Sequence, residues 1–222
     1  MGGMKRKIRC GGKPMTAIVL AGGRSTRMKA DKAGLLVGGR TLLEHVLAQI
    51  EPYFDEIIIS ISKGQWRGRR PARLKKSGPG RKGDPQGGCS GLMLIEDEVL
   101  GQGPIGGILA GLKAAKHGAC VVIACDIPDI DIALLRSLAR AARDFDIAVP
   151  VGPSGLYEPL FAIYKRSVAG AIEALLARGE RSLLPLYGAC RTALMPLGEN
   201  LRLRNLNTRA DYESFIRSVK GE

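Results

Sequence analysis

Four short apolar runs, at 17–20, 57–61, 120–124 and 147–151, are rich in valine, isoleucine and alanine and carry almost no polar alternation. A strand with one wet face alternates. A run that does not alternate buries both faces, which restricts the fold to a mainly parallel sheet covered on each side. The segments between the runs supply the covers. "TLLEHVLAQI" opens with Thr41 and Glu44 at capping-box spacing, and Leu42, Leu43, Val46, Leu47 and Ile50 share one helical face. Residues 104–115, 131–142 and 167–177 read as helices too. A last helix starts at "TRAD", with Tyr212, Phe215, Ile216 and Val219 turned inward. The fold class is therefore α/β, a mainly parallel central sheet with helices on both faces.

A chain of 222 residues suits a single domain. The body is expected to span 15–220, preceded by a basic, disordered extension at 1–14 and interrupted by a basic, flexible insert at about 64–88. Charge supports that division. The net charge is +13. Lys5, Arg6, Lys7, Arg9 and Lys13 carry five positive charges, and residues 63–82 carry nine with no acid among them. What remains holds 20 bases against 21 acids, so the body is close to neutral. The insert has one aromatic, Trp66, and no nucleic-acid-binding motif, so nucleic acid is not the expected partner. No apolar run is long enough to cross a bilayer, and no signal-like stretch follows the basic start, so no membrane partner and a cytoplasmic location are expected. The five cysteines are scattered, at 10, 89, 120, 125 and 190, with neither a disulfide framework nor zinc-ligand spacing.

In sheets of this kind ligands bind beyond the carboxyl ends of the strands. The first run empties into "AGGRSTRMKADK", where Gly22 and Gly23 allow backbone N–H groups to approach a phosphate, and Arg24, Arg27 and Lys32 supply countercharge. The pattern is neither of the common nucleotide fingerprints. Ser60 and Asp97 close two other apolar runs. Asp126 closes "CVVIACD", and Asp129 and Asp131 are better placed to cap the helix that follows, which leaves Asp126 for a magnesium ion. Asn205 and Asn207 in "NLNT" offer a shared polar edge. His45 and His117 are assigned no role.

"AIVLAGGRSTRM", "DKAGLLVGGRTLLEHV", "LIED", "GPIGGILAGL", "IACDIP", "EPLFAIY" and "NLNTRADY", in that order, resemble the molybdenum cofactor guanylyltransferases from Thr16 to about Phe215. The resemblance implies a Rossmann-like nucleotidyltransferase fold and transfer of GMP from GTP to Mo-molybdopterin with magnesium, releasing pyrophosphate. It also implies contact with other cofactor-biosynthesis proteins or acceptor apoenzymes. Carried over by position, Leu20, Ala21, Gly22, Gly23 and Arg24 hold the nucleotide. Lys32 and Arg27 act on its phosphates, Ser60 and Asp97 lie along base and ribose, and Asp126 binds the metal. Gly103, Pro104, Asn205 and Asn207 face the acceptor. The chain departs from the family pattern at Lys29, where glycine is usual, at Ser60, where an amide side chain is common, and at Arg209, where proline is common.

Such chemistry needs no strong general base, because the attacking phosphate is ionised at neutral pH; positioning and positive charge carry it. A guanylyl- or cytidylyltransferase acting on another phosphorylated acceptor, such as cobinamide phosphate or a sugar phosphate, shares the donor half. A non-catalytic nucleic-acid-binding protein using the insert is the remaining alternative. Gly22 after Ala21 favours GTP, since the related cytidylyltransferases usually read Leu-Ala-Ala-Gly. Pyrophosphate release with each of the four nucleoside triphosphates is expected to be fastest with GTP, and equal turnover with CTP would overturn that preference.

Overall fold

An apolar run buried on both faces has to lie inside a sheet, with helices packed above and below it. The computed structural model describes residues 5–22, 32–63, 65, 91–97, 102–198 and 203–220. In chain order the first strands are β1 (Arg9–Cys10), β2 (Lys13–Pro14), β3 (Thr16–Leu20), β4 (Leu36–Val37), β5 (Arg40–Thr41) and β6 (Glu56–Ser62). They are followed by β7 (Leu92–Asp97), β8 (Ala119–Ala124), β9 (Ile147–Val151), β10 (Phe161–Lys165) and β11 (Thr192–Pro196). The α-helices are α1 (Leu42–Ile50), α2 (Pro104–Ala114), α3 (Ile132–Ala141), α4 (Ala169–Ala177), α5 (Leu184–Ala189) and α6 (Arg209–Lys220).

Seven strands form one sheet in the order β11-β9-β10-β8-β3-β6-β7. Neighbours run parallel except β10, which is antiparallel to both β8 and β9. The two faces of β3 show why no alternation was visible. Ala17 and Val19 pack with Leu43, Val46 and Leu47 of α1 and Leu135 and Leu138 of α3. Ile18 and Leu20 pack on the other face with Ile105, Ile108 and Leu112 of α2. Both sides are core. The capping box of α1 forms as its spacing predicts, with Thr41 and Glu44 each satisfying the other's backbone N–H.

The seating of α2 depends on having no side chains at three positions. A Cβ on Gly111 would stand 2.6 Å from Ile18 Cγ2, and one on Gly107 would stand 3.0 Å from Ser60 Oγ. A Cβ on Gly106 would stand 2.7 Å from the Asp97 carboxylate. The helix therefore lies closer to β3, β6 and β7 than any larger residue permits.

Residues 5–14, expected to be a disordered extension, are folded onto the body. Gly11 and Gly12 both take positive φ, at 54° and 78°, the requirement of a two-residue hairpin turn, and β1 pairs antiparallel with β2 across it. Ile8 is 3% exposed and its N–H donates to the Tyr53 carbonyl at 3.0 Å. Lys7 reaches the Phe54 carbonyl at 2.7 Å and Asp55 at 3.0 Å. Positive charge suggests an extension here, but Ile8 and Cys10 at alternate positions are buried and carry the packing. The insert expected at 64–88 falls outside the described residues apart from Gln65. The apolar run that Asp97 closes is β7, while β10, β11 and α5 are elements that the sequence pattern alone does not mark. β7 and β11 are the sheet edges, where burial is partial, and α5 has only six residues, too few to show a period.

Gly111→Ala is expected to destabilise the protein by about 1–3 kcal/mol through overpacking against Ile18. Gly170→Ala in α4, where a Cβ meets nothing within 4 Å, should be neutral or stabilise by about 0.5–1 kcal/mol. Urea unfolding of the two variants checks both, and equal shifts would show that the α2 contact is not the cause.

Candidate active site

The order of strands sets where a site can form. From β3 the chain goes outward to β6 and β7, then returns to the other side of β3 to lay down β8. The switch point therefore falls between β3 and β8, the place where adjacent loops leave in opposite directions and open a crevice. Register makes this concrete. Leu20 is paired with Ser60 on one side and Ala124 on the other, and Ser60 with Ile95. Two residues beyond that row stand Gly22, Ser62, Asp97 and Asp126, across four strands that span roughly 14 Å at ordinary strand spacing. That is a width suited to a nucleotide.

The backbone at the end of β3 is held from both sides. The Leu20 carbonyl accepts from Cys125 N–H at 3.0 Å, and Ala21 N–H donates to the Ser60 carbonyl at 2.8 Å. Gln65 clamps the same corner, its amide donating to the Ala21 carbonyl at 2.8 Å and its carbonyl accepting from Ser62 N–H at 3.1 Å. A Cβ on Gly22 would stand 2.8 Å from Ser62 N. Glycine is needed there because the turn passes so close to β6, whereas the sequence alone had suggested close approach to a ligand. Leu20 and Ala21 are buried, at 7% and 3% exposed, so the exposed part of this described turn begins at Gly22.

Ser60 lies in the row, but its side chain is 2% exposed and sits under Gly107 of α2. Asp97, at the end of β7, is half-buried beside Gly106, at the first turn of α2 behind Gly103 and Pro104. Lys32 opens the 3-10 turn Lys32–Gly34. Gly23, Arg24 and Arg27 lie outside the described residues.

On the other flank the cap of α3 is Asp131, whose carboxylate accepts from Leu134 N–H at 2.9 Å, so that helix makes no demand on Asp126. The loop from Asp126 to Ile130 is pinned by Gln49 of α1, which donates to the Pro128 carbonyl at 2.7 Å and accepts from Ile130 N–H at 3.0 Å. The "NLNT" segment comes to the same loop, because Leu206 N–H donates to the Asp126 carbonyl at 2.8 Å. Leu206 is itself buried with Val37, Leu42 and Phe215, so α6 and the β4–β5 hairpin hold Asn205 in place. Asn205 hydrogen-bonds the side chain of Glu158, whose carboxyl is pushed up by burial and drawn partly back by that bond. The Asn207 backbone N–H donates to Asp211, which together with Thr208 caps α6.

Glu158, Gln49 and Gln65 were missed by sequence reading. Glu158 stands inside a quoted motif, but a half-buried glutamate and two amide clamps have no local signature. Among the described residues no three His, Cys, Asp or Glu side chains gather as a metal centre. One carboxylate at a strand end, with oxygen donors only, fits magnesium, which keeps several waters and takes phosphate oxygens. It does not fit a closed zinc site.

A mainly parallel sheet with a crevice at its switch point, a glycine turn after the first long strand and carboxylates after two others is the design of a protein that binds nucleoside phosphates. The model for the MobA-like NTP transferase domain matches residues 17–191. The molybdenum cofactor guanylyltransferase of Pseudomonas entomophila is 34% identical over 195 residues, covering 86% of this chain and 92% of that protein. A probable molybdenum cofactor guanylyltransferase of Carboxydothermus hydrogenoformans is 29% identical, covering 91% and 95%. Molybdopterin-guanine dinucleotide biosynthesis protein A of Archaeoglobus fulgidus has the same fold, with a TM-score of 0.74 at 24% identity over 94% of this chain and all of that one. The chain belongs to the MobA-like NTP transferase family and is a nucleotidyltransferase. No helix of the described residues is long and apolar enough to cross a membrane.

Gly22→Ala forces the turn off Ser62 and is expected to weaken nucleotide affinity by at least tenfold, with unfolding free energy lowered by about 1–3 kcal/mol. Titration of GTP into the variant, with urea unfolding alongside, reads both. Unchanged affinity would remove this turn from the nucleotide site.

Proposed function

We propose that this chain transfers GMP from GTP to the terminal phosphate of Mo-molybdopterin, forming the molybdopterin guanine dinucleotide cofactor. The observation that carries the reading is the common level of Gly22, Asp97 and Asp126 at the carboxyl ends of the strands, with Gly22 and Asp126 flanking the switch point. The names of the relatives point the same way.

In the reaction an oxygen of the acceptor phosphate attacks the α-phosphorus of GTP. A new phosphorus–oxygen bond forms, the bond to the bridging oxygen of the β-phosphate breaks, and pyrophosphate leaves with the electron pair. The acceptor oxygen carries no proton at neutral pH, so no residue has to remove one. The chain's work is to bring two anions together and to meet the charge that builds on the leaving group.

Gly22 and Gly23 offer backbone N–H groups to the phosphates, and Lys32, Arg24 and Arg27 add positive charge. Asp126 holds magnesium, which when bound supplies further positive charge at the phosphates. Asp97 lies towards the ribose and base. The buried Ser60 contributes by seating α2 rather than by reaching the ligand. Gly103, Pro104 and Asn205 face the acceptor, with Asn205 oriented by Glu158, and Asn207 supports them by starting α6.

Asp126→Asn keeps the shape of the side chain and removes its charge. GMP transfer should fall by on the order of 100-fold or more, while GTP binding measured without metal changes little. Native-like transfer by the variant would end the metal assignment. Lys32→Ala should likewise lose turnover with no change in unfolding midpoint; a lowered midpoint would mark that lysine as structural.

A further inference from the structure

Beside this crevice is a concavity in which Pro104 alone has been given a role towards a ligand above. It has a volume of about 460 Å³ and opens between the amino end of α2, the segment 155–160 and the amino end of α5. That volume lies within the range of small-molecule sites. Its wall is aromatic and aliphatic. Tyr157 and Tyr187 stand with ring centroids 5.0 Å apart and planes tilted by 34°. Leu156 and Leu184 line the cavity although they are 69% and 58% exposed, so two large apolar side chains are left at its mouth. Arg181 is the one charged side chain among the lining residues.

The polar atoms of the wall are arranged and neutral. The Tyr187 and Tyr164 hydroxyls are 3.1 Å apart, and Tyr164 donates to the Pro159 carbonyl at 2.9 Å. Burial pushes the Tyr187 phenol up to about 12 and raises Tyr164 as well, so both stay protonated near neutral pH. A pocket of this kind suits a flat heteroaromatic ring with polar edges, held by its faces and met at one end by a cation.

Two of its lining residues adjoin the crevice. Ile105 in its wall precedes Gly106, which lies against the Asp97 carboxylate. Leu160, also in the wall, accepts through its carbonyl from Ala124 N–H at 2.8 Å, two residues before Asp126. The cavity wall opposite α2 belongs to the β9–β10 part of the sheet, since Tyr157 bridges to Val151 of β9 and Leu160 directly precedes β10. Donor and acceptor must reach the same α-phosphorus from different directions, and a second ring-sized pocket next to the crevice meets that need.

Resting on the guanylyl-transfer reading, we propose that this pocket receives the pterin ring of the acceptor. The ring lies against Tyr157 and Tyr187, Leu156 and Leu184 cover it, and Arg181 meets an oxygen-rich end of the molecule.

The probe is 6-hydroxymethylpterin, which is fluorescent and carries neither phosphate nor metal. It is titrated into the full chain and into Leu156→Glu and Leu184→Glu. Both side chains are exposed, so the urea midpoints should match the unsubstituted protein. Saturable quenching is expected, with the dissociation constant raised at least tenfold in each variant. In GMP transfer the KM for molybdopterin should rise while the KM for GTP stays within twofold. No quenching, or equal quenching by all three proteins, overturns the proposal. A raised KM for GTP assigns the pocket to the donor and overturns it too. A change of oligomeric state by light scattering with unchanged pterin affinity makes the leucines a contact between copies, again overturning it. Pterin binding that the variants lose, in a chain that transfers no GMP to molybdopterin, upholds the pocket and removes the guanylyl-transfer reading instead.

Discussion

Everything at the candidate site depends on β3 being buried on both faces and hydrogen-bonded along both edges. All five residues of Thr16–Leu20 are buried, and β6 and β8 pair with them in parallel on either side. A strand held so completely has no freedom in where it ends. The chain after Leu20 emerges at one defined place, and the Cys125 N–H and the Ser60 carbonyl hold the backbone there before any ligand arrives. The order of the backbone up to Gly22 therefore comes from the sheet.

The close approach of α2 extends that order to the β6–β7 side. With glycine at 106, 107 and 111 the helix settles onto Asp97, Ser60 and Ile18, so its first turn stays at the level of the strand ends. Ser60 shows the consequence. At a strand end in a sequence it reads as a ligand contact, but a helix this close covers it. The amino ends of the strands carry a different kind of polar cluster. There Glu56 accepts from the Thr16 hydroxyl and from Lys116 N–H while 4% exposed, and burial together with Glu56 pushes the neighbouring Cys120 thiol up to about 12. Thr16, Glu56 and Cys120 are all buried. The carboxyl end carries the crevice.

On the Asp126 side, order is imported from far along the chain. Phe215 of α6 and Leu206 just before it pack onto Val37 and Leu42, which sets Leu206 N–H against the Asp126 carbonyl and Asn205 against Glu158. Gln49 reaches across from α1 to fix the same loop. Residues from three widely separated segments thus share one rim. A substitution in α6 or α1 can alter the site without touching a ligand, through the position of Asp126 or Asn205.

The sequence by itself determined the layers. Unalternating runs at 17–20 and 120–124 mean burial on both faces, and the Thr41–Glu44 and Thr208–Asp211 spacings mark two helix starts, because these signals depend only on neighbours a few residues apart. It also determined which strand ends carry Gly22, Asp97 and Asp126. Only the tertiary structure decided which of those ends stand side by side, since strand order and register are set by packing between distant segments. For the same reason the fold alone revealed that Gly22 is small for the sake of Ser62, that Gln65, Gln49 and Glu158 belong to the rim, and that Ile8 outweighs five nearby positive charges to fold residues 5–14 onto the body. A local pattern records what a residue prefers; which surface it meets is settled by chain that lies tens of residues away.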